Sequence, residues 1–254
     1  MKVTFLGTGT SQGIPIIGCK CAVCKSVNSK DKRLRASALV SVDDKNILID
    51  IGPDFREQML RNEVSHLDAI LVTHAHRDHV AGIDDIRPYN YYQKSPIDIY
   101  ARSNAIEAIR RDYAYIFATH IYPGLPEANL IEVDGNSIFN VGYTEIVPIE
   151  AMHKDMPILG YRMGRFAYVT DANYIAPQEL DKIKGLDVLV INALRIEKHF
   201  SHFSLNEALD IIKILKPRRA YLTHLSHEMG FYDEVSCKLP ENVFLAYDGL
   251  TVEI

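Results

Sequence analysis

Cysteine, net positive charge and long hydrophobic runs are all scarce in this sequence. A bilayer-spanning helix needs about 20 consecutive apolar residues, so we expect no membrane span. The first glycine, Gly7, comes too early for the apolar core of a secretory signal peptide, and the residues before it are typical of a strand. These features predict a cytoplasmic protein. Four cysteines in 254 residues are too few for a disulfide scaffold.

The charge balance is mildly acidic, with 28 Lys and Arg against 33 Asp and Glu and a formal net charge of −5. Proteins dedicated to nucleic acid neutralise phosphates with clustered Lys and Arg, whereas the basic stretches here, Lys25–Arg35 and Lys213–Arg219, are short. We expect the first stretch to lie on the surface. Because 47% of the residues are apolar and 24% are charged, the chain has ample apolar surface to fold as a globular protein.

Periodicity and turn residues predict an α/β protein. Strands come in two batches, each followed by helices, and no repeat or linker divides the chain. This order favours one domain over residues 1–254, built as two sheets with helices outside. Predicted elements include the buried strand Ala69–Val72, the strands Ser137–Phe139 and Tyr143–Ile149, the helices Asp84–Tyr92 and Asn104–Phe117, and the helix Leu205–Leu215 with Ser204 as its cap.

The strongest chemical signal follows the strand Ala69–Val72. His74, His76, Asp78 and His79 place four potential metal ligands within six residues. Strand ends are where α/β proteins place their sites. Imidazole and carboxylate groups suit Zn²⁺, Mn²⁺ or Fe²⁺, so we expect a metal site here.

This segment resembles the H-x-H-x-D-H signature of the metallo-β-lactamase superfamily. The resemblance implies a four-layer αββα sandwich and three further ligands downstream, each near a strand end. His153, Asp171 and His224 occur in the required order. The resemblance therefore spans nearly the whole chain.

The resemblance also implies two divalent metals, zinc or manganese, with a bridging hydroxide as the nucleophile. One metal would be held by His74, His76 and His153, the other by Asp78, His79 and His224, with Asp171 as the bridge. Asp78 would thus be both a ligand and a catalytic residue. Asp50 matches the family's buried acid beneath the metal loop, where it would accept a hydrogen bond from a ligand histidine.

The cysteines form a second motif, Cys19-x-Cys21-x-x-Cys24, near the N-terminus. Three thiolates need a fourth ligand for tetrahedral zinc, and His227, three residues after His224, is the candidate. This zinc knuckle, at about residues 19–24, resembles that of the phosphoribosyl cyclic phosphodiesterase branch. It predicts a structural zinc in addition to the two active-site metals.

A third motif lies just before the helix Leu205–Leu215, where His199 and His202 flank Phe200. In phosphodiesterases of this superfamily a histidine in this region reaches the leaving group, and His202 is the matching residue. Its ordinary pKa of about 6.5 would leave a useful protonated fraction near neutrality. We therefore expect His202 to act as a general acid.

The complete set of ligands points to a dinuclear hydrolase, and the resemblance implies a phosphodiesterase acting on a small, cyclic phosphodiester. Two alternatives stay open: an activity like the tRNA 3′-processing endonucleases, and a non-catalytic carrier role like that of cofactor-biosynthesis relatives. A thioesterase is a further enzymatic alternative. The expected partner is the small substrate, with neither nucleic acid nor membrane, and a homodimer is left open.

Overall fold

The computed structural model describes residues 1–118 and 124–254. Strands numbered along the chain form two sheets. The first sheet contains β1 (Lys2–Gly7), β2 (Ser37–Val42), β3 (Lys45–Ile49), β4 (Ala69–Leu71), β5 (Ile97–Ala101), β6 (Ala128–Glu132) and β15 (Thr251–Glu253). The second contains β7 (Phe139–Val141), β8 (Thr144–His153), β9 (Met156–Met163), β10 (Phe166–Val169), β11 (Tyr174–Ile175), β12 (Val188–Asn192), β13 (Arg219–Thr223) and β14 (Val243–Leu245).

Helices cover the outer face of each sheet. They are α1 (Phe55–Arg61), α2 (Arg77–Val80), α3 (Arg87–Gln93), α4 (Ser103–Asp112), α5 (Pro177–Lys182), α6 (Leu205–Leu215) and α7 (Tyr232–Ser236). The strand order is β15-β1-β2-β3-β4-β5-β6 in the first sheet and β11-β8-β9-β10-β12-β13-β14 in the second, where β7 also pairs with β8. The αββα sandwich is confirmed.

Alternation of side chains along the strands explains the layers. In β12, Val188 and Val190 point into the core between the sheets, while Leu189 and Ile191 pack under α6 and α7. The first sheet divides its side chains in the same way, with Leu48 of β3 facing α1. Strands buried on both faces need apolar residues at every position, which is why they appear as continuous apolar runs.

The direction of the strands brings the carboxyl ends of several of them to one edge of the sandwich. β3 to β6 are mutually parallel, as are β10, β12, β13 and β14. β8 is antiparallel to β9, which is antiparallel to β10, so β8 runs in the direction of β10. The carboxyl ends of β8, β10, β12 and β13 therefore share one edge of the second sheet.

Several predicted elements have different bounds in the structure. The helix predicted at Asp84–Tyr92 is a 3-10 turn, Ile83–Ile86, followed by α3, because Pro88 lacks a backbone N–H and favours a helix start. The predicted helix Asn104–Phe117 ends at Asp112.

The two strand predictions before the metal-binding edge also needed correction. The strand predicted at Ser137–Phe139 begins only at Phe139, because Asp134 accepts hydrogen bonds from the Asn136 N–H and the Ser137 hydroxyl and forms a turn there. β8 does not end at Ile149 but continues to His153.

The stretch Lys25–Arg35 is not wholly on the surface, as we expected it to be. Asp31 and Arg33 are buried. Arg33 Nη1 donates to Thr8 Oγ1 at 2.7 Å and to the Ala246 carbonyl at 2.6 Å, and Thr8 donates in turn to Asp248 at 2.8 Å. Burial lowers the pKa of Arg33 to about 10 and raises the pKa of Asp248 to about 6. This network ties the N-terminal loop to the last strands.

Within residues 1–118 and 124–254, no helix is both long and apolar enough to cross a membrane.

Replacing Arg33 should destabilise the fold. We expect Arg33→Ala to lower the free energy of unfolding by about 3 kcal/mol, because it leaves a buried carboxyl and hydroxyl without their charged partner. Urea denaturation measures this loss. Lys25→Ala, at an exposed position of the same stretch, is the matched control and should change stability by less than about 0.5 kcal/mol. Equal effects of the two substitutions would contradict the role of the network.

Candidate metal centre

The ends of four strands supply four of the seven candidate metal ligands, and the end of a fifth strand carries Asp50. The loops after β3 and β4 carry Asp50 and His74, β8 ends at His153, and Asp171 and His224 follow β10 and β13. The structure thus brings to one edge the residues that we predicted from separate parts of the chain.

The short helix α2 carries the remaining ligands. His76 precedes its first residue, and Asp78 and His79 lie within its single turn. The end of β3 holds this turn in place, since the His79 carbonyl accepts from the Ile51 N–H at 2.8 Å. A Cβ on Gly52 would lie 2.1 Å from the Asp78 carbonyl oxygen. Only glycine therefore allows the metal loop to pack so closely against β3.

His74, His76 and His153 form the first cluster, with one ligand atom of each within 4.8 Å of the others. His74 Nε2 lies 3.1 Å from His76 Nδ1. Two nitrogens bound tetrahedrally to zinc at about 2.0–2.1 Å would lie about 3.3 Å apart. The spacing therefore fits two ligands of one metal ion.

Asp78, His79, Asp171 and His224 form the second cluster. His79 Nε2 lies 3.1 Å from Asp78 Oδ2 and 3.4 Å from Asp171 Oδ2, and His224 Nε2 lies 3.0 Å from Asp171 Oδ1. Asp171 also falls within 4.8 Å of His153 of the first cluster. Its carboxylate thus lies between the clusters, as a bridging ligand must.

Unpaired nitrogens show that this arrangement fits metal ions. Among the described residues, His79 Nε2 and His224 Nε2 are buried without a hydrogen-bond partner, although carboxylate oxygens lie within 3.1 Å. Buried polar atoms are normally hydrogen-bonded, and unpaired ones need an explanation. Lone pairs that converge on a shared point, rather than on one another, are the geometry of a metal site.

Asp50 fixes two of the ligand histidines. Its carboxylate accepts from His79 Nδ1 at 2.7 Å, from the Thr73 N–H at 2.8 Å and from the Thr73 hydroxyl at 2.9 Å. Because the Thr73 proton goes to Asp50, the hydroxyl oxygen must accept from His74 Nδ1, 3.0 Å away. Both imidazoles are therefore held with Nε2 free for a metal. The structure places Asp50 in contact with Thr73 and His79 of the metal loop, and the relay through Thr73 was not predicted.

Backbone strain is concentrated at the same residues. Asp50, Asp171 and His224 have φ angles of 61°, 61° and 56°. This left-handed region is sparsely populated by residues other than glycine, and it occurs preferentially at functional sites. Hydrogen bonds of the second sheet's loops hold His153 as well, since its Nδ1 donates to the carbonyls of Asp171 and Ser201 at 2.8 and 2.9 Å.

The electrostatics of the second cluster are dominated by its carboxylates. Burial opposes charge on His224, but Asp171 and Asp78 outweigh it and raise the pKa of His224 to about 9. Burial also opposes charge on His79, whose pKa the carboxylates of Asp171, Asp50 and Asp78 raise well above its ordinary value. The pKa of Asp78 is in turn lowered, against burial, by His79 and His224. The site is therefore prepared for cationic charge.

His202 lies at the cluster and not in open solvent. Its ring centroid is 4.7 Å from that of His153 and 4.9 Å from that of His224, and its Nδ1 lies 3.7 Å from Asp171 Oδ1. Burial, helped by His224, lowers the pKa of His202 to about 3. This low pKa opposes the protonated fraction near neutrality that we expected of His202.

The cysteine knuckle forms a separate site. The sulfurs of Cys19, Cys21 and Cys24 lie 3.5, 3.3 and 3.5 Å from Nδ1 of His227, and all three cysteines are free. Tetrahedral zinc with Zn–S of about 2.3 Å and Zn–N of about 2.0–2.1 Å requires an S···N separation of about 3.5 Å. The backbone N–H of Cys24, with further help from His227, lowers the pKa of Cys21 to about 6. These residues fit a closed zinc site.

One turn connects the two sites. His224 and His227 are three residues apart, and between them the Leu225 N–H donates to the Thr8 carbonyl while the Leu225 carbonyl accepts from the Thr10 N–H. These bonds attach the turn to the N-terminal loop that precedes the knuckle. The position of the knuckle therefore bears on the position of His224.

Comparisons with known proteins agree with this geometry. Residues 45–225 match the family model for the beta-lactamase superfamily domain. A crystal structure of a new diphosphatase from the PhnP family is 36% identical, with 100% of this chain and 97% of that chain covered and a TM-score of 0.93. Zn²⁺-bound PqqB from Methylobacterium extorquens, at 19% identity, with all of both chains covered and a TM-score of 0.83, shares the fold.

One curated relative bears the name of an acyl-transfer enzyme. An octanoyltransferase from Porphyromonas gingivalis is 40% identical over 252 residues, which are 98% of this chain but 51% of that protein. The chain spans about half or less of the length of the curated relatives that it matches first.

Loss of one knuckle thiolate should destabilise the protein. We expect Cys21→Ser to remove one zinc per chain and to lower the Tm by about 5 °C or more, equivalent to about 2 kcal/mol, while turnover per folded molecule falls less. Elemental analysis and thermal denaturation provide the measurements. Cys237→Ser, at an exposed thiol outside the knuckle, is the control. Unchanged zinc content in Cys21→Ser would rule out the four-ligand site.

Asp50→Asn should weaken metal binding at both clusters, because an amide cannot accept from His79 and Thr73 together. The expected loss is about 10–100-fold in affinity, measured by competition with a chromophoric chelator. Thr73→Val breaks only the relay to His74 and should weaken the first cluster more than the second. Asp187→Asn, at the opposite end of β12, is the control. Wild-type affinity in Asp50→Asn would contradict the orienting role.

Proposed function

We propose that this chain, which belongs to the beta-lactamase superfamily and has the metallo-β-lactamase fold, is a dinuclear metal-dependent hydrolase of small phosphodiesters. The observation that supports this most is the complete set of seven ligands, His74, His76, Asp78, His79, His153, Asp171 and His224, gathered into two adjoining clusters. The 36% identity to a diphosphatase over the whole chain favours a phosphorus centre as the target.

Phosphoryl chemistry suits a site with this donor set. Two divalent cations, zinc or manganese, would stabilise charge on the phosphoryl oxygens and supply an attacking water of lowered pKa. Asp78 remains ionised because His79 and His224 lower its pKa, so its carboxylate could hold a metal ion and orient that water by accepting a hydrogen bond from it. The knuckle zinc lies outside this chemistry and has a structural role.

His202 is placed to serve the leaving group. Its Nδ1 is buried, lacks a hydrogen-bond partner among the described residues and faces the bridging carboxylate of Asp171. An N–H on this imidazole can donate a hydrogen bond to the departing oxygen. Complete proton transfer requires the imidazolium, which burial disfavours and the nearby carboxylate of Asp171 favours.

Charge placement argues against a tRNA-processing activity. The basic stretch Lys213–Arg219 ends where β13 begins, whereas His224 follows the other end of that strand. In the stretch Lys25–Arg35, Arg33 is buried and Arg35 pairs with Asp54 at 2.9 Å. Neither stretch therefore offers a cationic groove beside the metal clusters. A non-catalytic carrier role does not need seven retained ligands.

An acyl substrate is the second candidate, because the octanoyltransferase relative is 40% identical over nearly all of this chain. The aligned residues are half of that protein, and metallohydrolases of this superfamily also cleave thioesters. An octanoyl thioester is therefore the specific compound that distinguishes the acyl candidate from the phosphodiester candidate.

A substrate panel with the metal-loaded protein tests the proposal. The panel comprises bis-p-nitrophenyl phosphate, five-membered cyclic phosphodiesters, a nucleoside diphosphate, S-lactoylglutathione, an octanoyl thioester and precursor tRNA. We expect hydrolysis of the phosphodiesters, abolished by chelation and by Asp171→Ala. Activity on a thioester alone would replace the proposal with the second candidate, and cleavage of tRNA with strong salt dependence would favour the nuclease.

The loss of hydrolysis rate caused by His202→Ala should depend on the leaving group of the substrate. Alkoxides leave poorly without a proton, so hydrolysis of an alkyl phosphodiester should fall by about 10²–10⁴-fold. Phenolate leaves unaided, so p-nitrophenyl esters should lose much less. Steady-state kinetics on both substrates gives the comparison, and metal content is measured alongside. The control is His66→Ala, at an exposed histidine that is distant in sequence from His202. Equal losses on both substrates would exclude proton donation by His202.

A further inference from the structure

A cleft of about 500 Å³ opens beside the first metal cluster. Two candidate ligands, His76 and His153, line it, and Lys154, Asp155 and Phe200 are among the other lining residues. The cleft therefore adjoins the first metal cluster and extends beyond the candidate ligands.

Phe200 is an exposed ring on a fixed backbone. The residue is 70% exposed. Its carbonyl nevertheless accepts a hydrogen bond from Asn173 Nδ2 at 3.4 Å. The carbonyl of the next residue, Ser201, accepts one from His153 Nδ1 at 2.9 Å. An exposed aromatic ring is ordinary in isolation. Here the hydrogen bonds of the Phe200 and Ser201 carbonyls fix the backbone that presents the ring to the cleft.

Asn173 joins the two walls of the cleft. Its side-chain oxygen accepts from the Lys154 N–H at 2.7 Å, and its amide donates to Phe200. Lys154 lies in the tight turn between β8 and β9 with φ of 55°, and its Nζ is 5.9 Å from the Phe200 ring centroid. One amide thus fixes the backbone of Lys154 beside the segment that carries Phe200, while the Lys154 ammonium also lies 3.7 Å from the exposed carboxylate of Asp155.

We propose that Phe200 and Lys154 form a subsite for a nucleobase carried by the phosphodiester substrate, with the base on the Phe200 ring and the ammonium near the anionic backbone. The ring of His199, with its centroid 4.4 Å from that of Phe200, extends the aromatic surface. This inference rests on the proposed function and adds its substrate class. Stacking of a base on an aromatic side chain is worth about 1–3 kcal/mol.

A fluorescent nucleotide tests the subsite by binding alone. The probe is 1,N6-ethenoadenosine 5′-monophosphate, whose emission is quenched by stacking, and the chain has no tryptophan to obscure it. With metal-loaded protein, Phe200→Ala should raise the probe's Kd by about 5–150-fold, the stacking energy converted at 1.4 kcal/mol per tenfold. The affinity for ribose 5-phosphate, measured by calorimetry, should stay within twofold. Phe200→Tyr should restore stacking.

Matched variants separate stacking from charge. Lys154→Met should weaken the binding of both the fluorescent nucleotide and ribose 5-phosphate, and it should reduce the salt dependence of that binding. Tyr143→Ala removes an aromatic ring that is 94% exposed at the other end of β8, and it should change neither Kd. The proposal is overturned if Phe200→Ala leaves the probe's Kd unchanged, or if it weakens ribose 5-phosphate equally.

Kinetic measurements distinguish failure of the nucleobase subsite from failure of the proposed hydrolase function. Phe200→Ala should raise KM for a 2′,3′-cyclic nucleotide by a larger factor than KM for a cyclic phosphodiester that carries no base or other aromatic group. Equal KM changes on substrates with and without a base would reject the subsite while the hydrolase stands. Failure of the wild-type protein to hydrolyse any phosphodiester would reject the proposed function, and wild-type protein that does not bind the probe would reject the subsite.

Discussion

A single buried carboxylate determines how the metal-binding edge is built. Asp50 is fully buried and accepts hydrogen bonds from the Thr73 backbone, the Thr73 hydroxyl and His79. Placing an ionised carboxylate away from water is costly unless its oxygens are hydrogen-bonded, so these contacts have to form together. When they do, the strand ends of β3 and β4 and the helix α2 are fixed relative to one another. The ligand histidines then have only one productive orientation.

The candidate ligands could be selected from the sequence because ligand chemistry requires particular residue types. The structure brings His74, Asp171 and His224, which lie far apart in the chain, to the same edge. The layers were predictable for a similar reason, since strands buried on both faces need apolar residues throughout. The predicted strand at Ser137–Phe139 failed because a local side-chain bond from Asp134 competes with the strand.

Features that depend on distant contacts were not predictable. Lys25–Arg35 looks like a solvated basic surface, yet Arg33 is buried because Thr8 and the Ala246 carbonyl, far away in sequence, meet its guanidinium. The pKa of His202 could not be inferred from an isolated histidine, since burial among other imidazoles lowers it to about 3. Gly52 gave no signal of its own, because the need for glycine arises from the approach of the Asp78 carbonyl.

The metal clusters and the neighbouring cleft differ in how firmly the backbone holds their side chains. Four candidate ligands lie at strand ends, where paired backbone holds them. Lys154 and Phe200 project from loops that Asn173 joins, and His153 bonds to Ser201 of the second loop. A loop residue can change without disturbing strand pairing, while a ligand cannot change without losing the metal. Under the proposed subsite, a change at the cleft would alter substrate preference while the metal clusters stay the same.

The knuckle adds a second constraint, because the turn from His224 to His227 belongs to both the metal-binding edge and the cysteine cluster. The strongest restraints in the molecule thus act on the metal-binding edge, and the proposed recognition of the substrate would fall to side chains on its rim.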